Sequence, residues 1–458
     1  MQKILLFIAS LFYFNSLFAK DEIKSWQGIH ETPLSRLEQQ FAEPPVEFAN
    51  HVIWGWEGKM DKKTICNDLD SIKKKGFRAV IFEAGYKLPF KYLSEEWFKA
   101  IRTGVLEAKK RGMKVWIIDE GKYPSGFAGG KFSQERPDLR MQALVIGDTI
   151  QIKRGEVMTN HKIAPEIISA VAVSTSGAPN RTVEINNGKI SFNAGLDDWK
   201  ILLVKSDFRT AVTRAVNNPN GGKDATNSLC DYLNPIAVQQ FIDWTHKQYK
   251  KYLGKELGTT VLGFRGDEPD YAHLPWTPSI VQTFKDTKGY DPTPYLASFF
   301  TASPTIQEQR VKADYWDVWS SLFATHFFKL QADWCAANGV AHITHLNKEH
   351  EMPACVKAEG DYFRNLSKVQ IPGVDAIWNQ IWPSTLNDFP KLASSVAHVY
   401  GKPRAFSESF AAYHISPTIP QAKFVVDHQI ARGINFFEFM FWLAGSKHRN
   451  WMSDPGMK

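Results

Sequence analysis

The chain has little of what marks several common classes of protein. It has only four cysteines in 458 residues, with no CxxC pair and no zinc-finger spacing. A disulfide framework is therefore not demanded, and a cysteine-ligated finger is not expected. Dense runs of lysine or arginine are absent as well, because 55 basic and 48 acidic residues are interspersed to give a formal net charge of +7. This charge pattern predicts no nucleic-acid partner.

Long apolar runs are also missing beyond the N-terminus, which predicts no membrane span in the mature chain. Residues 1–19, by contrast, combine a basic start at Lys3 with an apolar core from Ile4 to Phe18 and the small residue Ala19. This order is typical of a secretory signal peptide. We therefore expect a periplasmic or extracellular protein that has no membrane partner once the signal is removed.

The signatures of several catalytic mechanisms are absent too. The sequence has no GxSxG elbow for a nucleophilic serine, no HExxH order and no phosphate loop followed by Lys-Ser/Thr. His345 and Glu349 are four residues apart, a spacing that more often indicates a substrate contact or a hydrogen-bonded pair than a metal site. From the residues themselves we predict no metal ligand and no organic cofactor.

What the sequence does contain is a repeated alternation of strand-like and helix-like segments. A strand at His51–Trp56 precedes a helix with Ile65, Leu69 and Ile72 on one face, and the pattern then recurs. Such repetition predicts an α/β fold with parallel strands and right-handed crossovers. A (β/α)8 TIM-type barrel is favoured over an open sheet, because no glycine-rich phosphate loop follows the first strand. The other seven predicted strands are Phe77–Glu83, Met113–Glu120, Val261–Glu268, Val340–His345, Val374–Trp378, Arg404–Glu408 and Ile434–Trp442.

The rhythm is interrupted once, after the third strand. Residues 143–225 hold short β-like runs separated by glycine and asparagine turns, which predicts a β-rich insertion. The expected organisation is a signal peptide at 1–19, a first part of the barrel at 20–142, the insertion at 143–225 and a second part of the barrel at 226–458. Because little chain follows the eighth strand, C-terminal truncation is one expectation.

Carboxylates and tryptophans gather at the ends of the predicted strands. In a barrel these ends converge on one face, where barrel enzymes place their chemistry. Acids that protonate a leaving oxygen or activate water, beside aromatic rings that stack on sugars, predict glycosidase chemistry. The competing interpretation, loop caps and ion pairs with Arg265 or Lys348, is expected for roughly half of them. The candidates are Trp56, Glu83, Asp119, Glu120, Tyr123, Asp267, Glu268, His345, Glu349, Trp378, Glu408 and Trp442.

Several ordered motifs resemble one family. The segment 118–130, Ile-Asp-Glu-Gly-Lys-Tyr-Pro-Ser-Gly-Phe-Ala-Gly-Gly, is similar to a loop of the α-L-rhamnosidases of glycoside hydrolase family 106. The segment Phe264-Arg-Gly-Asp-Glu268 is similar to the fourth-strand region of the same family, and the resemblance covers roughly residues 50 to 445. Further similar stretches are 275–278, 288–291, His345, 360–364, 369–375, Ser407-Glu408 and 428–433.

The resemblance implies an inverting exo-glycosidase that releases terminal α-L-rhamnose from plant or microbial polysaccharides. Carried over by motif, Glu268 would be the general acid and Glu408 the base that activates water, with Glu349 as the reserve base. The remaining candidates are expected to contact the carbohydrate substrate. Calcium near the sugar hydroxyls is implied as well, although the chain has no Asp-rich calcium loop. Two alternatives stay open: a glycosidase of the same superfamily with another sugar specificity, and a barrel that binds carbohydrate without cleaving it.

Overall fold

The computed structural model describes residues 33–46, 49–85, 87–121, 123–209, 213–214, 223–224, 228–269, 271, 274–385, 387–413 and 417–444. The predicted signal peptide, residues 1–19, lies outside these ranges. No helix within them is both long enough and apolar enough to cross a bilayer. All four cysteines lie inside these ranges and are unpaired.

Eight parallel strands close into a barrel, which confirms the predicted (β/α)8 fold. The described residues also form three smaller sheets. In chain order, the strands of the barrel and of these sheets together are β1 (His51–Trp56), β2 (Ala79–Ala84), β3 (Lys114–Ile118), β4 (Gln142–Ile152), β5 (Val157–Lys162), β6 (Ile167–Ser174), β7 (Arg181–Thr182), β8 (Lys189–Asn193), β9 (Trp199–Phe208), β10 (Thr213–Arg214), β11 (Lys223–Asp224), β12 (Val261–Gly266), β13 (Pro275–Trp276), β14 (Ala341–Thr344), β15 (Ile371–Ala376), β16 (Phe406–Ser409) and β17 (Phe436–Leu443). Around the barrel the order is β1, β17, β16, β15, β14, β12, β3 and β2.

Helices cover the outside of the barrel, and local sequence signals start several of them. Asp61 accepts a hydrogen bond from the Thr64 N–H (2.9 Å), and Thr305 forms a capping box with Glu308. The α-helices are α1 (Leu34–Ala42), α2 (Lys62–Lys74), α3 (Glu95–Lys110), α4 (Lys131–Glu135), α5 (Pro235–Trp244), α6 (His246–Leu253), α7 (Ile280–Lys288), α8 (Ile306–Leu322), α9 (Lys329–Ala337), α10 (Met352–Glu359), α11 (Tyr362–Leu366), α12 (Pro390–Val399) and α13 (Ile419–Ile430). A π-helical segment, Phe323–Phe328, joins α8 to α9.

The barrel interior is apolar at its lower level and charged above it. Alternate residues of a strand face opposite sides, so one set fills the interior and the other packs under the helices. Gly373 makes room for the inward Phe406 ring, since a Cβ at this glycine would lie 2.1 Å from a ring carbon. The inward apolar residues are Ile53, Ile81, Trp116, Ile118, Leu262, Ala341, Ile343, Ile371, Phe406 and Phe436.

A second sheet provides the predicted β-rich insertion after the third barrel strand. Its five strands follow the order β13, β4, β9, β6 and β7, and it has an apolar cluster of its own that includes Trp199 and Phe192. Four of these strands come from the segment between β3 and β12. The fifth, β13, comes from the loop that follows the fourth barrel strand, so the insertion and that loop form one sheet.

Candidate active site

Three carboxylates occupy the same level on neighbouring barrel strands. Asp375 on β15 is paired in register with Glu408 on β16, and Glu408 is paired with Glu438 on β17. All three lie two residues beyond an inward position of the barrel, and all are buried. Because like charges at this spacing repel each other, the row requires a positive counter-charge.

Arg265 on β12 provides this counter-charge for two members of the row, Glu408 and Glu438, and is wholly buried. Its Nη1 lies 2.7 Å from Asp267 Oδ1, its Nε donates to Glu438 Oε2 at 3.2 Å, and its Nη2 forms an ion pair with Glu408. Burial opposes the charged guanidinium, but the three carboxylates more than offset burial and raise the pKa of Arg265 well above its usual value. One buried cation therefore compensates three acids.

His345 follows β14 and links Arg265 to the carboxylates. Its Nε2 lies 2.8 Å from Arg265 Nη2 and 3.2 Å from Glu408 Oε2, and its Nδ1 lies 2.8 Å from the Leu346 carbonyl oxygen. Burial lowers the pKa of His345, whereas Glu349 and Glu408 raise it well above its usual value. In the protonated ring Nδ1–H donates to Leu346 and Nε2–H donates to Glu408.

Glu268 lies just after β12 in a left-handed conformation (φ 37°), and it is partly exposed. Carboxyl oxygens of Glu268 and Asp375 and a ring nitrogen of His345 all lie within 4.8 Å of one another. Burial and the charge of Asp267 raise the pKa of Glu268 to about 7, and burial with Glu408 raises the pKa of Asp375 well above its usual value. Two carboxyl groups this close share a proton near neutral pH.

Glu408 differs from Glu268 in its protonation state. Burial would raise the pKa of Glu408, but Arg265 and His345 outweigh burial and lower it to about 2. Glu408 and Glu268 each reach a ring nitrogen of His345 within 4.8 Å, so both carboxyl groups lie at the same end of the barrel. The site therefore offers an ionised carboxylate and a protonated carboxyl group around one histidine.

The loop after β3 is fastened to the loop after β12 by Ser125. The Ser125 hydroxyl donates to Asp119 Oδ1 (2.6 Å) and accepts from the Asp267 N–H (2.7 Å), while the Ser125 N–H donates to the Asp267 carbonyl (2.8 Å). Gly126 has a φ of +100°, and a Cβ there would lie 2.6 Å from the Tyr232 ring. The Pro-Ser-Gly motif therefore positions Asp267 and the adjacent Glu268.

Two acids predicted to bind substrate instead hold this loop together. The carboxylate of Glu120 is wholly buried and accepts hydrogen bonds from the N–H groups of Gly121, Ala128 and Gly129. Asp119 has no exposed surface beneath Ser125, and burial raises its pKa to about 7. The prediction of sugar contacts was wrong for both, because the strand ended earlier than expected and the loop closed over these side chains.

Two tryptophans predicted to contact the sugar belong to the layer between the barrel and its helices. The Trp56 ring is unexposed and packs on Phe82 and Trp97, with centroids 4.9 and 5.7 Å away. A register shift in the pairing of β1 with β17 sets Trp442 beside Trp54, and both join the same outer cluster. The prediction was wrong here because both residues face the helices and not the barrel interior.

Glu349, predicted as the reserve base, also has a positioning role. It is buried, accepts a hydrogen bond from the Leu346 N–H (2.9 Å) and lies 3.7 Å from His345 Nδ1. Its carboxylate therefore orients the His345 loop from behind and does not face the opening, which corrects the reserve assignment.

The remaining predicted contacts stay predictions. Trp378 exposes 46% of its surface at the rim, where its backbone N–H donates to the carbonyl of Ala411, just after β16. Tyr123 is partly exposed in the loop after β3. Glu83 is buried near the carboxyl end of β2. Asp267 contacts Arg265, and His345 contacts Glu408, as described above.

Sequence reasoning placed Glu438 with Trp442 at the end of the eighth strand but gave it no role, and it did not include Asp375, Arg265 or Ser125 among the site residues. Asp375 and Glu438 share a signal, since each is a carboxylate two residues beyond an inward position of its strand. Asp375 was passed over because its strand was expected to run to Trp378, whereas β15 ends at Ala376. Arg265 was expected only as an ion-pair partner, and nothing in the spacing indicated Ser125.

Comparison with known proteins gives matches of three kinds. A family profile described as alpha-L-rhamnosidase matches residues 159–444, which is more than half of the chain. A curated protein of Formosa agariphila, named "Putative beta-glucuronidase", is 24% identical over 480 residues, covering 93% of this chain and 39% of that protein. The solved structure of a rhamnosidase from Novosphingobium sp. PP1Y superposes with a TM-score of 0.68 at 16% identity, covering 90% of this chain and 56% of that one. The chain thus spans about half the length, or less, of these two relatives.

Replacing Arg265 tests whether it holds the carboxylate row together. Arg265→Met should lower the free energy of unfolding at pH 7 by about 3–5 kcal/mol, because buried carboxylates lose their counter-charge. The loss should shrink at pH 5, where those carboxyl groups take up protons. Urea unfolding at both pH values measures this.

Arg432→Met is the matched control, because Arg432 pairs with an Asp388 side chain that is 85% exposed, and a surface pair contributes at most about 1 kcal/mol. Equal stability of Arg265→Met and the wild type at pH 7 would contradict the assigned role.

Proposed function

The chain belongs to the alpha-L-rhamnosidase family of glycoside hydrolases, and we propose that it hydrolyses terminal α-L-rhamnosides of plant or microbial polysaccharides with inversion at the anomeric carbon. The placement of Glu268 and Glu408 carries this proposal. They follow or end two different barrel strands, and each reaches a ring nitrogen of His345 within 4.8 Å. Inverting glycosidases use two carboxyl groups that face one sugar from opposite sides.

The different surroundings of Glu268 and Glu408 give one carboxyl group the role of acid and the other the role of base. Glu268, whose pKa burial and Asp267 raise to about 7, holds the proton that the leaving oxygen needs. Glu408, whose pKa Arg265 and His345 lower to about 2, is an ionised base. In the proposed reaction Glu268 protonates the glycosidic oxygen as its bond to C1 breaks. Water attacks C1 from the opposite face and gives its proton to Glu408.

Asp375 is the competing candidate for the base, because it too is a buried carboxyl group at the mouth. Its oxygen lies within 4.8 Å of a Glu268 oxygen, whereas an inverting pair is separated by about 6.5–9.5 Å to leave room for water. We therefore propose that Asp375 keeps the proton on Glu268 by sharing it. Trp378, exposed at the rim, is proposed as the surface on which the sugar ring stacks.

Calcium, which the family resemblance implies, fits the described residues poorly. Calcium takes six to eight oxygen ligands. Each of the two clusters of possible ligands at the mouth has only two carboxylates, and its third member is a ring nitrogen of His345. Arg265 already pairs with Glu408, and the proton shared by Glu268 and Asp375 leaves that pair with a single negative charge. The proposed reaction therefore involves no calcium ion. Loss of activity on chelation, restored by Ca²⁺ alone, would overturn this conclusion.

The name of the Formosa relative raises a second specificity, for a uronic acid. A uronate carboxylate needs a cationic partner, and Lys348 is exposed in a left-handed conformation just after β14. Arg265 is not available for this role, since it is buried among three acids. We favour the rhamnoside because the family profile matches more than half of the chain. We further propose a periplasmic or extracellular location from the N-terminal segment, to be tested by cell fractionation.

A panel of aryl glycosides tests the sugar class. We expect turnover of aryl α-L-rhamnosides, with β-L-rhamnose as the first product seen by proton NMR, and no turnover of aryl β-D-glucuronides. Turnover of the glucuronide alone would favour the second specificity. Binding of rhamnose in calorimetry, without product from any glycoside, would favour a binding protein.

Replacing Glu268 tests its role as the acid. Glu268→Gln should lower kcat/KM about 10²–10⁴-fold for rhamnosides with poor leaving groups, and far less for nitrophenyl rhamnoside, which needs little protonation. Wild-type activity on poor leaving groups should fall as the pH rises through about 7, because the acid form is lost, and this limb should vanish in the variant. Glu95→Gln, at an exposed pair with Lys99, is the control. Equal losses on both leaving groups would argue against an acid role.

A comparison of two amide variants identifies the base. Glu408→Gln should abolish turnover of both classes of leaving group, since activation of water is needed in each case. Asp375→Asn should retain measurable turnover and shift the limb near pH 7, because it alters the proton shared with Glu268. Circular dichroism checks that both variants fold. The reverse ranking would transfer the role of the base to Asp375.

A further inference from the structure

A second cluster of polar side chains lies outside the barrel mouth, in the layer between the strands and the helices. It consists of His246 at the start of α6, Cys335 on α9 and His342 on β14. The side chain of His342 faces this layer, because its neighbours Ala341 and Ile343 belong to the inner apolar set. One ligating atom from each residue lies within 4.8 Å of the other two, and all three residues are at most 1% exposed.

The histidines of this cluster lack the partners that buried polar groups normally have. His246 Nδ1 lies 2.9 Å from the Thr245 hydroxyl, but its Nε2 has no hydrogen-bond partner among the described residues. Both ring nitrogens of His342 lack one as well. Buried nitrogens are seldom left unpaired in folded proteins, so these atoms point to a missing ligand.

The surroundings favour the protonation states that a metal needs from histidine. The His246 ring packs against Phe264 and Trp334, with centroids 4.2 and 5.3 Å away. An apolar layer of this kind favours the neutral imidazole, which is the form that binds metal ions.

We propose that His246, Cys335 and His342 bind one zinc ion. Two imidazoles and a thiolate select borderline or soft transition metals over calcium or magnesium. Zinc would draw its ligand atoms to about 3.3–3.8 Å from one another, given Zn–N near 2.0 Å and Zn–S near 2.3 Å. Binding would release the Cys335 thiol proton to solvent, and the Zn–S and Zn–N bonds would join α6, α9 and β14.

The three protein ligands leave the fourth position of a tetrahedral zinc ion to a buried water molecule, and the site is separate from the proposed catalytic activity. No ligand atom is exposed, so the ion would enter as the chain folds. The alternative is that the two histidines pack only as neutral aromatic rings, with the thiol as an apolar neighbour. In that case the protein would bind no stoichiometric metal.

The test is the metal content of the whole chain, produced with zinc in the medium and purified without chelators. We expect about one zinc per chain by elemental mass spectrometry, and protein produced with Co²⁺ should show thiolate-to-cobalt charge-transfer absorption. Cys335→Ser should lose both the absorption and most of the metal. Cys355→Ser, which alters another buried cysteine outside the cluster, should keep both.

Wild-type protein without stoichiometric zinc and without the cobalt absorption would overturn the proposal, and this result does not depend on whether the variants fold. Full metal content in Cys335→Ser would overturn it as well. Zinc content that persists in the Glu408→Gln variant, which is expected to abolish turnover, would confirm that the site is separate from the proposed function.

Discussion

The structure depends on one buried cation placed among acids. Arg265 extends from β12 into the barrel interior to contact the carboxylates of Glu408 and Glu438, and it also contacts Asp267, which directly follows β12. Removing these charges from water is costly, and only close pairing with a permanently charged guanidinium offsets the cost. The same pairing sets the chemistry, because it keeps Glu408 ionised while Glu268, beyond its reach, keeps a proton. Charge balance in the interior and the division between acid and base therefore have one origin.

The rim of the barrel is held in conformations that most residues avoid. Non-glycine residues with positive φ follow four neighbouring barrel strands, and each such conformation costs on the order of 1–3 kcal/mol. Such strain persists only where the surrounding structure fixes the backbone, as hydrogen bonds across the rim do at Trp378. The barrel therefore supports a rim that is already ordered before a ligand arrives. These residues are Glu268, Lys348, Trp378, Asn379, Phe410 and Ala412.

The sequence predicted the barrel well because strand and helix periods repeat, and it predicted the site less well. Strand ends were misjudged by a few residues, and in a strand one residue decides which side a side chain faces. A misjudged strand end hid Asp375, whereas Trp56 was misassigned although its strand was predicted with the correct bounds, because its side chain faces the helices. Loop acids such as Glu120 could not be separated from site acids, since only the folded loop supplies the amides that bind them. The cluster of His246, Cys335 and His342 has no sequence spacing at all, because its members come from three separate elements.

The accessory sheet has a consequence for evolution and for engineering. One edge strand of this sheet is β13 (Pro275–Trp276), which belongs to the loop after the fourth barrel strand. It pairs with β4 of the insertion. The insertion is therefore attached to the barrel by the β13–β4 pairing as well as by its own two chain ends. Exchanging it for a shorter loop would strip β13 of its neighbour and uncover a sheet edge, the kind of surface that promotes aggregation. Changes in this appendage and in the loop beside Glu268 should therefore be inherited together.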